Sequence, residues 1–274
     1  MKKLCLPLLL GLVFVLSGCK GSPAAPTAPP SATPPPPVAT PAPSAPPTAA
    51  PTPTPIADPV WDSQESSADA SDREHPEVLL ITCKFTLPHI QNAAASPAYA
   101  AINDYYLDLS AGLRTDALAN EGQAADDYAT SKTMGYAFTP YSDEETFEIK
   151  AQSARRVSIL RTHYGHTGGA YPTVLYMADH FDLATGKKLT FADRFTDPAE
   201  AEKIIRAELL RQGAAHPEYD QDALTSAFQR ENFYPTDGGT VFFYQPESLA
   251  PHAAALPVFS VSNDLLEGLV SQWE

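Results

Sequence analysis

Arg156-Val157-Ser158-Ile159-Leu160-Arg161-Thr162-His163-Tyr164, followed by Thr173-Val174-Leu175-Tyr176-Met177-Ala178-Asp179-His180-Phe181-Asp182-Leu183, is the stretch that decides the fold. Both runs are rich in β-branched and aromatic residues and alternate with a period of two, which describes strands with one face buried. Thr185-Gly186-Lys187-Lys188 supplies a turn, and Leu189-Thr190-Phe191 returns along the second run. Residues 134–141 and 146–151 carry the same pattern further upstream, so the middle of the chain is expected to be an antiparallel meander.

On the N-terminal side, residues 77–87 alternate as another strand, with Cys83 on its core face. Ser96-Pro97 has the form of a helix N-cap followed by a first-turn proline. Ala98, Ile102, Tyr105, Leu109 and Leu113 then recur at helical spacing, with Tyr106 beside the stripe, which predicts an amphipathic helix packed on the sheet. On the C-terminal side, Asp197-Pro198 opens a helix carrying Ile204, Ile205, Leu209 and Leu210 that stops at Gly213. A shorter helix is expected over 220–230. Strands are expected at 240–244 and 256–261, with Asp237-Gly238-Gly239 as the turn before the first. Strands grouped among helices without regular βαβ alternation indicate an α+β fold, antiparallel sheet(s) with packed helices.

The N-terminus reads as an address. Lys2 and Lys3 precede an apolar run from Leu6 to Leu16 too short to span a bilayer, and Leu16-Ser17-Gly18-Cys19 has the pattern of a bacterial lipobox. Residues 1–18 are therefore expected to be a lipoprotein signal peptide, with Cys19 carrying the lipid that holds the chain at the extracytoplasmic face of the cell membrane. Residues 20–59 contain 16 prolines among Ala, Thr and Ser. Such a chain has nothing to bury and is expected to be a disordered Pro-rich stalk. Fully extended it would reach on the order of 120 Å at about 3.1 Å per residue. The polar stretch to Pro76 is read as more linker, so the expected divisions are 1–18, 19–76, 77–150 and 151–274. The formal charge of −15 argues against nucleic acid as a partner, and acidity leaves room for a cationic one.

Tyr164-Gly165-His166-Thr167-Gly168-Gly169-Ala170-Tyr171-Pro172, the run from Phe181 to Phe195, and Asn232-Phe233-Tyr234-Pro235 with Ala250-Pro251-His252 resemble the RsiV-like extracellular module. The strand before Pro88, and the helix with Ile102-Asn103 and Tyr105-Tyr106, are similar to the PdaC-like half that precedes it. The resemblance covers 77–274, split at 150/151. It implies an α+β binding module of the cell envelope, met in a lysozyme-sensing membrane protein and ahead of a peptidoglycan deacetylase domain. A lysozyme-like or cell-wall partner is the corresponding expectation. Tyr171 stands where the family usually has a histidine, so no role is carried over to that position.

Elsewhere the residues give little chemistry. His163 and His166 are three apart on a strand-like run and so point to opposite faces, and neither they nor His180 with Asp179 form a metal motif. Asp126-Asp127 and Glu144-Glu145 read as solvated loops rather than the spaced carboxylate pair that glycan hydrolysis requires. No cofactor, metal or catalytic residue is expected. The contact surface is placed at Tyr164, His166, Gly168, Gly169, Tyr171 and Pro172, where glycines allow close approach and tyrosines offer area. The competing view is a bulged connection whose tyrosines pack on the sheet. The expected function is a non-catalytic envelope binding module, with a peptidoglycan-acting enzyme or its accessory subunit as the alternative.

Overall fold

A computed structural model describes residues 56–251 and 256–271. The expected signal peptide, Cys19, most of the Pro-rich stretch and His252 lie outside the described residues. The meander forms the centre of a six-stranded sheet, ordered β1 (Trp61–Ser71), β2 (Leu79–Ile90), β3 (Tyr141–Gln152), β4 (Arg156–His166), β5 (Thr173–Asp182) and β6 (Lys188–Leu189). Every neighbouring pair is antiparallel except β2 and β3, which run parallel. A parallel pair needs a crossover, and helices α1 (Pro97–Leu118) and α2 (Glu121–Met134) supply it.

The side chains of Ser96-Pro97 act as the sequence indicates: the Ser96 hydroxyl accepts from the Ala98 N–H, and Pro97 occupies the first turn. The α1 stripe buries Ala98, Ile102 and Tyr106 against Leu87, Val157, Ile159 and Phe181. Helix α2 covers Ile81, Cys83, Phe85 and Tyr141 with Ala124, Ala125 and the half-buried Tyr128. It ends at Gly135, whose φ of 76° is the left-handed cap that glycine permits. Both helices therefore lie on one face of the sheet, here called the inner face.

A second, three-stranded sheet packs on part of the opposite, outer face. Its strands are β7 (Phe233–Thr236), β8 (Gly239–Phe243) and β9 (Val258–Ser262), all antiparallel. Helix α4 (Pro198–Gly213) closes its core through Ile205 and Leu209, capped by the Asp197 carboxylate accepting from the Glu200 N–H. Short helical turns α3 (Phe191–Arg194) and α5 (Ala223–Ser226) complete the unit. Phe233, fully buried, joins the two sheets by stacking on His180 of β5 with ring centroids 4.4 Å apart. At Gly239 a Cβ would meet the Val261 carbonyl oxygen at 2.2 Å, so β8 and β9 approach as closely as they do only with glycine there.

Four expectations need correction. The supposed linker before Pro76 contains β1, whose inward residues Ser66, Ala68 and Ala70 are small and lack a hydrophobic alternation. It is fixed by pairing with β2 and by the Ser66 hydroxyl 2.6 Å from that of Ser110 on α1. Residues 134–141 are not a strand: Met134 closes α2, and β3 begins at Tyr141. The division at 150/151 falls inside β3, which forms a hairpin with β4, so the two halves are not separable there. The helix expected over 220–230 shrinks to the single turn of α5.

Candidate functional site

Register places Asp143, Glu145, Arg161, His163 and Asp179 on the inner face, next to the apolar contacts with α1. Arg161 lies between two carboxylates: its Nη1 donates to Glu145 Oε1, and its Nε donates to Asp179 Oδ2 at 2.6 Å. Lys188 of β6 reaches the other oxygen of Asp179 at 2.6 Å, and the hydroxyls of Tyr105 and Tyr106 also donate to this carboxylate. At the other end, His163 Nδ1 is 3.1 Å from Glu145 Oε2 and 3.5 Å from Asp143 Oδ1.

Burial alone would push Asp179 towards its neutral form, but Arg161 and Lys188 outweigh it and hold the carboxyl below its usual range. Burial likewise opposes the charge on Arg161, yet Asp179 and Glu145 raise its basicity further. The hydrogen bond to Glu145 raises His163, with Asp143 adding to it. These opposed charges satisfy one another, so the chain Lys188–Asp179–Arg161–Glu145–His163 is an ionic cross-link between strands. Glu144-Glu145 is thus not a solvated loop: Glu145 is 0% exposed in this cross-link, while Glu144 points to the outer face. Asp126-Asp127 sits on α2, and Asp127 accepts from the Tyr141 hydroxyl at 2.5 Å. Arg161 carried the one signal that would have revealed the network, a cation at the period-two position that continues Val157 and Ile159.

The outer face at this end of the sheet is open. Paired rows place Ser67, Lys84, Glu144 and Tyr164 side by side, with Asp69, Thr82, Ser142 and His166 in the next row. A depression of about 400 Å³ here is lined by Glu65, Asp69, Thr82, Lys84 and Glu144. His163 and His166 face opposite sides of β4, as their spacing requires, and among the described residues no group of three or more His, Cys, Asp or Glu could hold a metal ion.

Beyond His166 the chain turns through 167–172 into β5. His166 organises this loop: its Nε2 lies 3.0 Å from the Gly169 carbonyl oxygen, and the Gly168 N–H donates to its Nδ1 at 3.4 Å. The neutral tautomer with the proton on Nε2 satisfies both contacts. Gly168 has φ +77°, which a side chain would strain. Tyr171 is 68% exposed at the tip, while Tyr164 lies half-buried on the outer face. All six residues expected at the contact surface therefore belong to one hairpin end.

A separate cavity of about 390 Å³ lies between the sheets and is lined by Arg156, Arg194, Ser153 and Asn263. Burial, helped by neighbouring Arg156, brings Arg194 down to about 10, and Arg194 donates to the Thr240 hydroxyl at 3.2 Å. No helix among the described residues is long and apolar enough to cross a membrane.

Residues 76–173 match the family described as deacetylase PdaC, and residues 191–264 match a protein family of unknown function, DUF3298. Immunogenic protein MPT64 of Mycobacterium tuberculosis and MPB64 of Mycobacterium bovis are each 28% identical over 150 residues, 52% of this chain. The match spans 65% of the length of these curated relatives. A solved DUF3298-family structure from Bacteroides fragilis superposes with a TM-score of 0.60 at 14% identity, covering 80% of this chain and 96% of its own. One from Pseudomonas aeruginosa gives 0.53 at 18% identity, covering 79% and 96%. At such identities the likeness is one of fold.

Proposed function

We propose, for a chain that carries a PdaC-like/DUF3298 module of cell-envelope type, that it is a non-catalytic binding protein anchored by lipid at Cys19. It would display the β4–β5 hairpin end to a cationic protein such as lysozyme. The observation that carries this reading is the tip itself: Tyr171 is exposed on a glycine loop braced by His166, and Glu144 adjoins Tyr164 at its base. A large aromatic on a braced loop gives contact area with little entropy to lose, and neighbouring carboxylates favour a cationic partner. The buried carboxylates Glu145 and Asp179 are already committed to Arg161.

Calorimetric titration of the chain with lysozyme at low salt and at ~0.15 M tests this, because exposed charges are largely screened at the higher value. Saturable one-to-one binding that persists at the higher salt, and is at least tenfold weaker in Tyr171→Ala, is the expected result. Absence of heat, or association erased by salt, removes lysozyme as partner. The alternative is then a peptidoglycan-acting enzyme or its accessory subunit, suggested by the name of the matched deacetylase family and by His163 beside Asp143 and Glu145. The anchor has its own test. Cells fed an alkyne-tagged palmitate should label the chain, and Cys19→Ala should lose the label; persistent labelling of the variant would place the lipid elsewhere.

A further inference from the structure

Strand β1 is a long edge. It pairs with β2 through all of Trp61–Ser71, and no strand among the described residues pairs its other side. In an antiparallel pair, alternate residues turn both backbone N–H and C=O away from the partner, so about half of these eleven residues direct both groups outward. Proteins usually blunt such an edge with charged side chains, lysine above all, or with proline or a bulge, and the charges that β1 carries are acidic, so they repel acidic strands and leave basic ones admissible. Strand β1 contains neither proline nor lysine, and its register shifts only at Ala70/Ser71, the extreme end.

The side chains along this edge select what could pair with it. Glu65 and Asp69 stand on the outer face and line the 400 Å³ depression with Glu144, three carboxylates against the single ammonium of Lys84. On the inner face the same strand offers the small, half-buried Ser66, Ala68 and Ala70. Asp62 is already held by His89 and Gln91. A second copy of this chain is disfavoured, since each carries a formal charge of −15.

We propose that the free edge of β1 captures an extended segment of another protein by strand addition, a segment with lysine or arginine at every second position and small apolar residues between. Backbone hydrogen bonds supply affinity, and the alternating side chains supply selectivity. The basic side chains lie beside Glu65 and Asp69, and the apolar ones continue the inner face past Ala68. This site shares Glu144 with the base of the hairpin surface but is centred on β1, and it does not depend on lysozyme being the partner.

The test titrates full-length chain in neutral detergent with a nine-residue capped peptide of alternating lysine and valine, and follows amide hydrogen exchange. Expected are saturable binding, slowed exchange across 61–71, and at least tenfold weaker affinity both in Glu65→Lys/Asp69→Lys and for a peptide N-methylated at alternate amides. The urea midpoint of the double variant should stay at the parent value, since both side chains are exposed. No saturable binding, undiminished affinity of the variant or of the methylated peptide, or protection confined to 164–172 would each overturn the proposal. The last of these would move the peptide to the hairpin tip. Protection of β1 that grows with protein concentration without peptide would overturn it in favour of self-pairing.

Discussion

Arg161→Met will destabilise the protein by about 3–5 kcal/mol, the range for removing one partner of a buried ion pair. Glu145 and Asp179 are 0% and 1% exposed, and without the guanidinium between them both remain in the interior with incomplete compensation. Lys188 and His163 remain at the two ends, so the network is weakened rather than abolished. Against a total stability of roughly 5–15 kcal/mol, this loss is a large fraction. Urea unfolding at pH 7 should show a midpoint lower by about 1–2 M with little change in slope.

The pH dependence gives the sign. Without Arg161, Asp179 loses the first of the two cations that hold its carboxyl below the usual range, so its folded-state affinity for protons rises. The folded variant then takes up protons that the unfolded chain does not, and its deficit relative to the parent should narrow as pH falls towards 4. Adding Glu145→Gln and Asp179→Asn should recover much of the loss. A deficit under ~1 kcal/mol in Arg161→Met would show that the cross-link contributes little.

His180 should make the folded chain sensitive to acid. Burial between β5 and β7 pushes it from the ordinary 6.5 down to about 3, with Asp179 opposing and Lys188 and Arg194 adding to the shift. A histidine whose folded value is depressed contributes full stability above the unfolded value, and that stability is lost as pH falls from about 6.5 to about 3. The slope is at most about 1.4 kcal/mol per pH unit, which sums to roughly 4 kcal/mol across the window. His180→Phe keeps a ring against Phe233 and removes the titration. Unfolding free energies at pH 7, 5.5 and 4 should fall less steeply for the variant than for the parent. Parallel curves would assign the acid sensitivity to other groups.

Much of the framework could be read from residue types. Local backbone chemistry fixed the helix starts at Ser96-Pro97 and Asp197-Pro198 and the turn at Gly186, because caps and left-handed glycines act within a few residues. The strands β4 and β5 were legible because one face of each is apolar over enough residues for the period of two to show. Two elements escaped for the same reason in reverse. Strand β1 turns half-buried serine and alanine inward, and α2 buries Ala124 and Ser131, so neither carries a hydrophobic pattern to detect.

The six residues at the hairpin end were legible as a glycine-rich segment with flanking tyrosines, since loop chemistry is local. The charge network was not. Glu145, Arg161, Asp179 and Lys188 come from four different strands, and adjacent Glu144 and Glu145 part to opposite faces only once β3 has its register. What the sequence determined by itself was the α+β class, helices α1 and α4 and the glycine-rich turn after His166, all set by short-range periodicity, capping and turn chemistry. What tertiary structure alone decided was the parallel β2–β3 pairing, the free edge of β1 and which charges meet. Those depend on contacts between residues far apart in the chain, whose partners no local pattern names.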